Sequence, residues 1–197
     1  MVLNKLRPEL EKISSSLALP LFKIGLKPHH LTIAGLLLSC LSLLSFLLER
    51  PYGHLALISA IILSSLMDVL DGALARISKT VSKKGSFTDS LADRIADTIF
   101  ILAVLPLGTA SSLSSLLFLA TSLIVSYTRA KGESLGVTLS GVGLMERGER
   151  IILLIIALAI DIPFNGFLEY ALWAGSLLNI YTIVQRARSV MKAIASS

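Results

Sequence analysis

The stretch that decides the fold and chemistry of this chain reads Asp68-Val-Leu-Asp71-Gly72-Ala-Leu-Ala75-Arg76 and, after eight residues, Gly85-Ser-Phe-Thr-Asp89-Ser-Leu-Ala-Asp93. Residues three or four apart lie on the same face of an α-helix. Asp68 and Asp71 therefore project from one helix, and Asp89 and Asp93 project from the next. We predict that these two acidic faces meet across the short loop that joins the helices.

Four carboxylates set in apolar helices repel one another and lose hydration, which costs on the order of several kcal/mol per unpaired charge. Bound divalent cations remove that cost. Oxygen ligands without a neighbouring Cys or His favour magnesium, manganese or calcium over zinc. Four carboxylates are also enough to hold two ions, the arrangement that clamps the attacking and leaving oxygens in phosphoryl transfer.

The other motif positions suit the same chemistry. Gly72 leaves room for a nucleotide to approach the helix backbone, and Arg76, one turn beyond, can fork onto phosphate oxygens. The loop at 77–84 supplies lysines and hydroxyl groups that can reach phosphate or ribose. For each lysine the competing explanation is the excess of positive charge on the cytoplasmic side of membrane proteins.

Composition points to the lipid bilayer as the solvent of this chain. Of its 197 residues, 54% are hydrophobic and 16% are charged, and its mean hydropathy is +0.79. The single Cys40 excludes an intramolecular disulfide and a cysteine zinc site. A helix needs about 20 apolar residues to cross the hydrocarbon core. Six stretches approach or reach that length: 31–48, 53–75, 88–107, 111–130, 149–164 and 167–186.

We therefore predict an all-α membrane protein, with six transmembrane helices in one domain at 31–190. Residues 1–30 form a separate juxtamembrane segment, which lacks the layout of a cleaved signal peptide and is expected to stay in the mature protein. Its apolar residues recur every three or four positions, which predicts an amphipathic helix lying in the interface: Leu3, Leu6, Leu10, Ile13, Leu17 and Leu21. The distribution of Lys and Arg predicts a multi-pass protein of the cell membrane with both termini and the acidic site on the cytoplasmic side.

The spacing D-x2-D-G-x2-A-R-x8-G-x3-D-x3-D resembles the signature of the CDP-alcohol phosphotransferase family. The resemblance implies an enzyme that transfers a phosphate-linked alcohol from a CDP carrier to an acceptor hydroxyl and releases CMP. It implies that Asp68, Asp71 and Asp89 bind two Mg²⁺ or Mn²⁺ ions, and that Asp93 faces the metals and acts as the general base. The residues it places against CDP are Gly72, Ala75, Arg76, Ser82 and Gly85.

A second segment, Lys27-Pro28-His29-His30-Leu31-Thr32, resembles the T-P-N/D-x-x-T turn of the same family. The resemblance implies that Pro28, His29 and Thr32 also contact CDP. Two histidines replace the usual small polar residues. An interfacial role fits these histidines as well as a CDP contact does. An adventitious metal pair fits them less well.

The acceptor is predicted from the segments at 126–133 and 143–150. They resemble the S-Y-x-[KR]-A-[KR]-x-E and G-x-x-E-R-x-E-R segments of phosphatidylinositol phosphate and archaetidylinositol phosphate synthases, and Gln185-Arg186 resembles a third basic contributor. These enzymes join a CDP-linked lipid to inositol phosphate, a dianion that requires basic ligands. The residues that would supply them are Arg129, Lys131, Arg147, Arg150 and Arg186.

Other functions remain open at this point. A transporter also places ionisable groups within helices, but it does not require Gly72, Arg76 and Gly85 at these intervals. Synthesis of a soluble inositol diester from CDP-inositol shares the basic segments, and glycerol phosphate or serine acceptors match the second segment less well. The predicted partners are a CDP-linked lipid, inositol phosphate, membrane lipid and, by resemblance, a second copy of the chain. No nucleic-acid partner is expected.

Overall fold

A computed structural model of the chain describes the backbone of residues 2–195 and the side chains of residues 11–195. Within that range the secondary structure is helical, with two short 3₁₀ segments at Leu43–Leu47 and Leu105–Leu107 and no β-strand. The α-helices are α1 Val2–Lys23, α2 Pro28–Ser42, α3 Tyr52–Ile77, α4 Lys83–Val104, α5 Ser112–Ser134, α6 Arg147–Asp161 and α7 Phe167–Ala195. The prediction of an all-α fold is therefore confirmed.

Among residues 2–195, four helical segments are long and apolar enough to cross a membrane: Pro28–Leu47, Tyr52–Ile77, Ser112–Ser134 and Phe167–Ala195. The other two predicted spans fall on α4 and α6. Helix α6 has 15 residues, a length of roughly 22 Å, and α4 carries the charged residues of the acidic motif along its first half. The count of six spans therefore stays a prediction, as do the boundaries proposed at 1–30 and 31–190.

The chain divides into two compact units at the Leu107–Gly108 junction. In the first unit α2 packs against both α3 and α4. Gly35 of α2 lies close against α3, since a Cβ there would be in van der Waals contact, 3.4 Å from both Met67 Cβ and the main-chain oxygen of Ser64. The hydroxyl of Ser64 donates a 2.9 Å hydrogen bond to the Gly35 carbonyl. Small residues that let helix backbones meet in this way are typical of interfaces between membrane helices.

Helix α1 joins the first unit through Ala18, which packs in one apolar cluster with Leu31, Leu70, Ala73 and Leu74. Leu70, Ala73 and Leu74 lie between the motif residues of α3, so the cluster holds the end of α3 that carries the acidic motif. On the predicted apolar face of α1, the side chains of Leu3, Leu6 and Leu10 lie outside the described residues. Ile13 and Leu17 are 57% and 52% exposed. An interfacial position for α1 stays a prediction.

In the second unit α7 packs against both α5 and α6. Polar side chains buried between α5 and α7 hold the two helices together, since the Asn179 amide donates 3.1 Å hydrogen bonds to the hydroxyls of Thr121 and Ser122. Where both helices begin, the Glu169 carboxylate accepts hydrogen bonds of 2.6 Å from the Ser111 N–H and the Ser114 hydroxyl. The two contacts fix α7 against α5 at separate levels.

Candidate active site

Three of the predicted aspartates converge in the first unit. Ligand oxygens of Asp68, Asp71 and Asp89 lie within 4.8 Å of one another. Asp71 is 6% exposed, and the other two are half-buried. Three carboxylates so close together in a partly buried place repel one another unless a cation intervenes. An all-oxygen donor set of this kind suits a hard divalent ion, so the residues fit the metal that the motif predicts.

A third helix also reaches this cluster. The hydroxyl of Thr32, in the first turns of α2, donates a 2.6 Å hydrogen bond to Oδ2 of Asp71. The family resemblance assigns Thr32 to the CDP moiety, and the structure gives its hydroxyl a carboxylate partner. A hydrogen bond from a neighbouring side chain orients a metal-ligating carboxylate and occupies one of its lone pairs.

Asp93 lies one turn beyond Asp89 on α4 and is not among the three aspartates whose ligand oxygens meet within 4.8 Å. Its side chain is 16% exposed, and Oδ2 lies 3.4 Å from Nη1 of Arg94. Arg94 also donates a 2.8 Å hydrogen bond to the main-chain oxygen of Ser90. The structure thus places a guanidinium group beside the residue predicted to act as the base.

The predicted CDP contacts around the acidic motif fall into two sets. Arg76 folds back over Gly72, since a Cβ at Gly72 would lie 3.5 Å from Nη1 of Arg76, and Ala75 is half-buried beside them. Ser82 caps α4 by accepting a 3.1 Å hydrogen bond from the Gly85 N–H. Ser82 and Gly85 therefore also have a structural role, because they define where α4 begins.

Two histidines lie in the first turn of α2. His30 Nδ1 accepts a 3.3 Å hydrogen bond from the Lys27 N–H, and Pro28 occupies the first position of the helix. The ring of His29 packs edge-on against that of His30, with ring centroids 4.2 Å apart. His29 is exposed and available to a ligand.

The predicted basic residues lie in the second unit, and two of them are deeply buried. Arg150 is 4% exposed, and its Nη1 donates a 3.1 Å hydrogen bond to the Met145 carbonyl. Arg186 is 2% exposed and donates to the carbonyls of Val142 and Val125 at 2.8 and 2.7 Å. These guanidinium groups therefore bind main-chain oxygens of the protein.

The remaining predicted basic residues are more accessible. Arg129 is 40% exposed at its side chain and forms a 2.9 Å ion pair with Glu133, Lys131 is exposed, and Arg147 is half-buried at the first position of α6. Arg186 interacts electrostatically with Glu146 and Glu133 as well as with Arg129 and Arg150. Arginine and glutamate side chains are thus gathered in one part of the second unit.

One residue of this region has no role in the sequence motifs. Thr182, fully buried on α7, accepts hydrogen bonds from the main-chain N–H groups of Leu144 and Met145 at 3.2 and 3.1 Å. The available signal is its spacing of four residues from Arg186, which puts both on one helix face. Nothing in the sequence links that face to residues 144 and 145.

A model of the CDP-alcohol phosphatidyltransferase family matches residues 26–184, so the chain belongs to this family, as its motif predicts. It is an enzyme, a CDP-alcohol phosphotransferase, and a membrane-helix protein of phospholipid biosynthesis. Over 192 residues it is 40% identical to the archaetidylinositol phosphate synthase of Aeropyrum pernix, and the match covers 94% of each chain.

Solved structures of a mycobacterial relative are also similar. The phosphatidylinositol phosphate synthase of Mycobacterium tuberculosis, PgsA1, with CDP-DAG bound gives a TM-score of 0.78 at 27% identity, covering 91% of this chain and 94% of that one. The same enzyme in complex with manganese and citrate gives a TM-score of 0.74 at 27% identity, covering 90% and 88%.

Proposed function

We propose that this enzyme transfers a phosphatidyl or archaetidyl group from a CDP-linked lipid to inositol phosphate and releases CMP. The observation that carries the reaction type is the meeting of Asp68, Asp71 and Asp89 within 4.8 Å, in the order of the family motif. The acceptor follows from similarity to archaetidylinositol and phosphatidylinositol phosphate synthases. It is supported by the proximity of Arg129, Arg150 and Arg186 to one another in the second unit.

Asp68, Asp71 and Asp89, with Asp93 as a further ligand, would hold two divalent ions, Mg²⁺ or Mn²⁺. Ions held by these carboxylates would supply positive charge against the pyrophosphate of the donor and the charge that develops on CMP. The all-oxygen donor set suits these ions, and the manganese complex of the mycobacterial relative supports the choice.

Asp93 takes the proton of the attacking acceptor hydroxyl in this proposal. The hydroxyl oxygen forms a bond to the phosphorus that carries the lipid alcohol, and the bond from that phosphorus to the CMP oxygen breaks. Asp93 suits the role because it lies one turn from the cluster and keeps 16% of its side chain accessible. A carboxylate that accepts a proton from a hydroxyl must come within hydrogen-bond reach of it in the complex.

The CDP moiety is assigned to the residues around the cluster: Gly72, Ala75, Arg76, Ser82 and Gly85, with Pro28, His29 and Thr32 from the first turns of α2. Arg76 is exposed and offers a planar fork to phosphate oxygens. It lies over Gly72, which has no β-carbon and leaves the helix backbone open to approach there.

The acceptor phosphate is assigned to Arg129, Lys131, Arg147, Arg150 and Arg186. Arg129, Lys131 and Arg147 are accessible enough for direct contact. Arg150 and Arg186 donate some of their N–H groups to main-chain oxygens. Their buried positive charge still favours a dianion nearby, because charges screened little by water act over longer distances.

We also propose that the chain is a multi-pass protein of the cell membrane. Both termini and the active site then lie on the cytoplasmic side. This orientation follows from the excess of Lys and Arg outside the predicted extracytoplasmic loops. Membrane lipid surrounds the helices, and a homodimer is expected from the family resemblance.

The test is CMP release by the full chain in detergent, with CDP-archaeol, CDP-diacylglycerol or CDP-inositol as donor and inositol phosphate, glycerol 3-phosphate or serine as acceptor. We expect turnover with a CDP-lipid and inositol phosphate that requires Mg²⁺ or Mn²⁺. Asp93→Asn should lower kcat by at least about 100-fold, since general base catalysis contributes about 10² to 10⁴. Ser90→Ala, an exposed position on the same helix, is the control and should keep wild-type activity.

Each alternative predicts a different result. Preference for CDP-inositol would indicate synthesis of a soluble diester, and faster turnover with glycerol 3-phosphate would make the acceptor assignment wrong. If no donor gives CMP with either Mg²⁺ or Mn²⁺ while the protein stays folded, the proposed phosphotransfer reaction is wrong.

A further inference from the structure

We infer that Thr182 is a positioning residue for the acceptor: together with Arg186 it holds the end of the α5–α6 connection, residues 135–146, and so sets the first turn of α6 that carries Arg147 and Arg150. The inference rests on the proposed function, in which inositol phosphate is the acceptor. All the residues that support it belong to the second unit.

The hydroxyl of Thr182 is fully used. It donates a 2.9 Å hydrogen bond to the Leu178 carbonyl within α7 and accepts from the N–H groups of Leu144 and Met145 at 3.2 and 3.1 Å. One donor and two acceptor lone pairs are the whole capacity of a hydroxyl group. Without this oxygen, the described hydrogen bonds of two adjacent main-chain donors are lost, and Met145 is only 5% exposed.

Arg186 holds the same segment one turn further along α7. Its Nε donates to the Val142 carbonyl at 2.8 Å, and its Nη2 lies 3.6 Å from Oε1 of Glu146. That same glutamate oxygen accepts a 3.2 Å hydrogen bond from the Gly141 N–H. The two α7 side chains therefore bind residues 142–146 along their length.

Gly143 fits against this pair of side chains. Its φ is +107°, a conformation that L side chains rarely adopt, and a Cβ there would collide with Cγ2 of Thr182. Glycine is needed at this position for both its backbone conformation and the lack of space. The methyl group of Thr182 thus contributes shape, and the hydroxyl contributes hydrogen bonds.

The segment that Thr182 binds leads directly into the predicted acceptor residues. Helix α6 begins at Arg147, with Glu146 as its N-cap residue. Met145 is bound on both sides, since its N–H donates to Thr182 and its carbonyl accepts from Nη1 of Arg150 at 3.1 Å. A shift of residues 144–146 therefore moves Arg147 and removes a partner of Arg150.

The test compares Thr182→Val, which keeps the shape and removes the hydroxyl, with Thr182→Ser, which keeps the hydroxyl and removes the methyl group. We expect Thr182→Val to raise the KM for inositol phosphate about tenfold, which corresponds to about one buried hydrogen bond, and to leave the KM for the CDP-lipid within about twofold. Thr182→Ser should stay within about threefold of wild type for both. Thr121→Val is the matched control, because it removes another buried hydroxyl of the same unit away from residues 140–146.

Hydrogen exchange gives a readout that does not depend on activity. We expect peptides covering residues 140–146 to exchange faster in Thr182→Val and to exchange as in wild type in Thr121→Val. If exchange in that segment is unchanged, the contact does not hold the connection. If exchange rises while both KM values move together or stay constant, Thr182 has a structural role only and the inference is wrong. Wild-type protein that turns over no CDP-lipid with inositol phosphate would instead refute the proposed function, and the positioning role with it.

A second pair of variants tests the packing contact. Gly143→Ala should raise the KM for inositol phosphate, and adding Thr182→Ser should recover part of that loss, because the colliding methyl group is gone. Gly136→Ala is the control: its φ is also positive, +80°, but no atom lies within 4 Å of the added Cβ. If Gly143→Ala and Gly136→Ala behave alike and the serine gives no recovery, the contact with Thr182 has no role.

Discussion

Thr32→Val tests whether the hydroxyl on Asp71 controls metal binding. The substitution removes a 2.6 Å hydrogen bond to a carboxylate that is 6% exposed, and it keeps the size of the side chain. A hydrogen bond to a charged group contributes about 1.5 to 3 kcal/mol, and loss of a residue that orients a metal ligand lowers affinity by about 10- to 100-fold. Both estimates predict that the Mn²⁺ concentration for half-maximal CMP release rises by at least about tenfold.

The assay is a Mn²⁺ titration of CMP release at saturating substrates, followed by measurement of the KM for the CDP-lipid at saturating metal. Thr32→Ser keeps the hydroxyl oxygen and should titrate within about twofold of wild type. Recovery of most of the wild-type kcat at high Mn²⁺ would indicate that the substitution acts through the metal. An unchanged Mn²⁺ requirement together with a raised KM for the CDP-lipid would refute the reasoning, and would return Thr32 to the CDP contact that the family resemblance implies.

Two further predictions concern helix packing and are measured by thermal unfolding in detergent. Gly35→Leu should destabilise the first unit by about 1 to 3 kcal/mol, because a Cβ at this position would already lie 3.4 Å from Met67 Cβ and the Ser64 carbonyl oxygen. Gly35→Ala should be nearly neutral. Equal stability of the two variants would contradict the close approach of the helices. Glu169→Gln should destabilise the second unit by about 1 to 2 kcal/mol, allowing for its partial exposure, because the carboxylate accepts from Ser111, Ser114 and Trp173. An unchanged unfolding temperature would show that these hydrogen bonds contribute little.

Local periodicity accounts for much of what could be predicted. Helical spacing is sufficient to place Asp68 with Asp71 on one face. Hydropathy is sufficient to identify the four long apolar helices, because each has to be apolar along its own length. Hydropathy predicts membrane spans less well for α4, which carries charged residues, and for α6, which is short.

The basic residues show where sequence reasoning ends. Arg150 and Arg186 carry the same charge as Arg129 and Lys131, and their spacing resembles an acceptor motif equally well. The structure buries the first two among main-chain carbonyls and leaves the others accessible. A sequence does not distinguish these environments, because burial depends on which residues from other helices surround the side chain.

By itself, the sequence determined the class of protein: an all-helical enzyme of the membrane with an ordered set of carboxylates at helical spacing. These properties depend on residues close together in the chain, and on composition. Only the tertiary structure decided that Thr32 contacts Asp71 across 39 residues, and that Thr182 and Arg186 bind a connection about 40 residues before them. Such contacts arise when separate helices pack side by side, and local sequence preferences do not determine which side chains then meet.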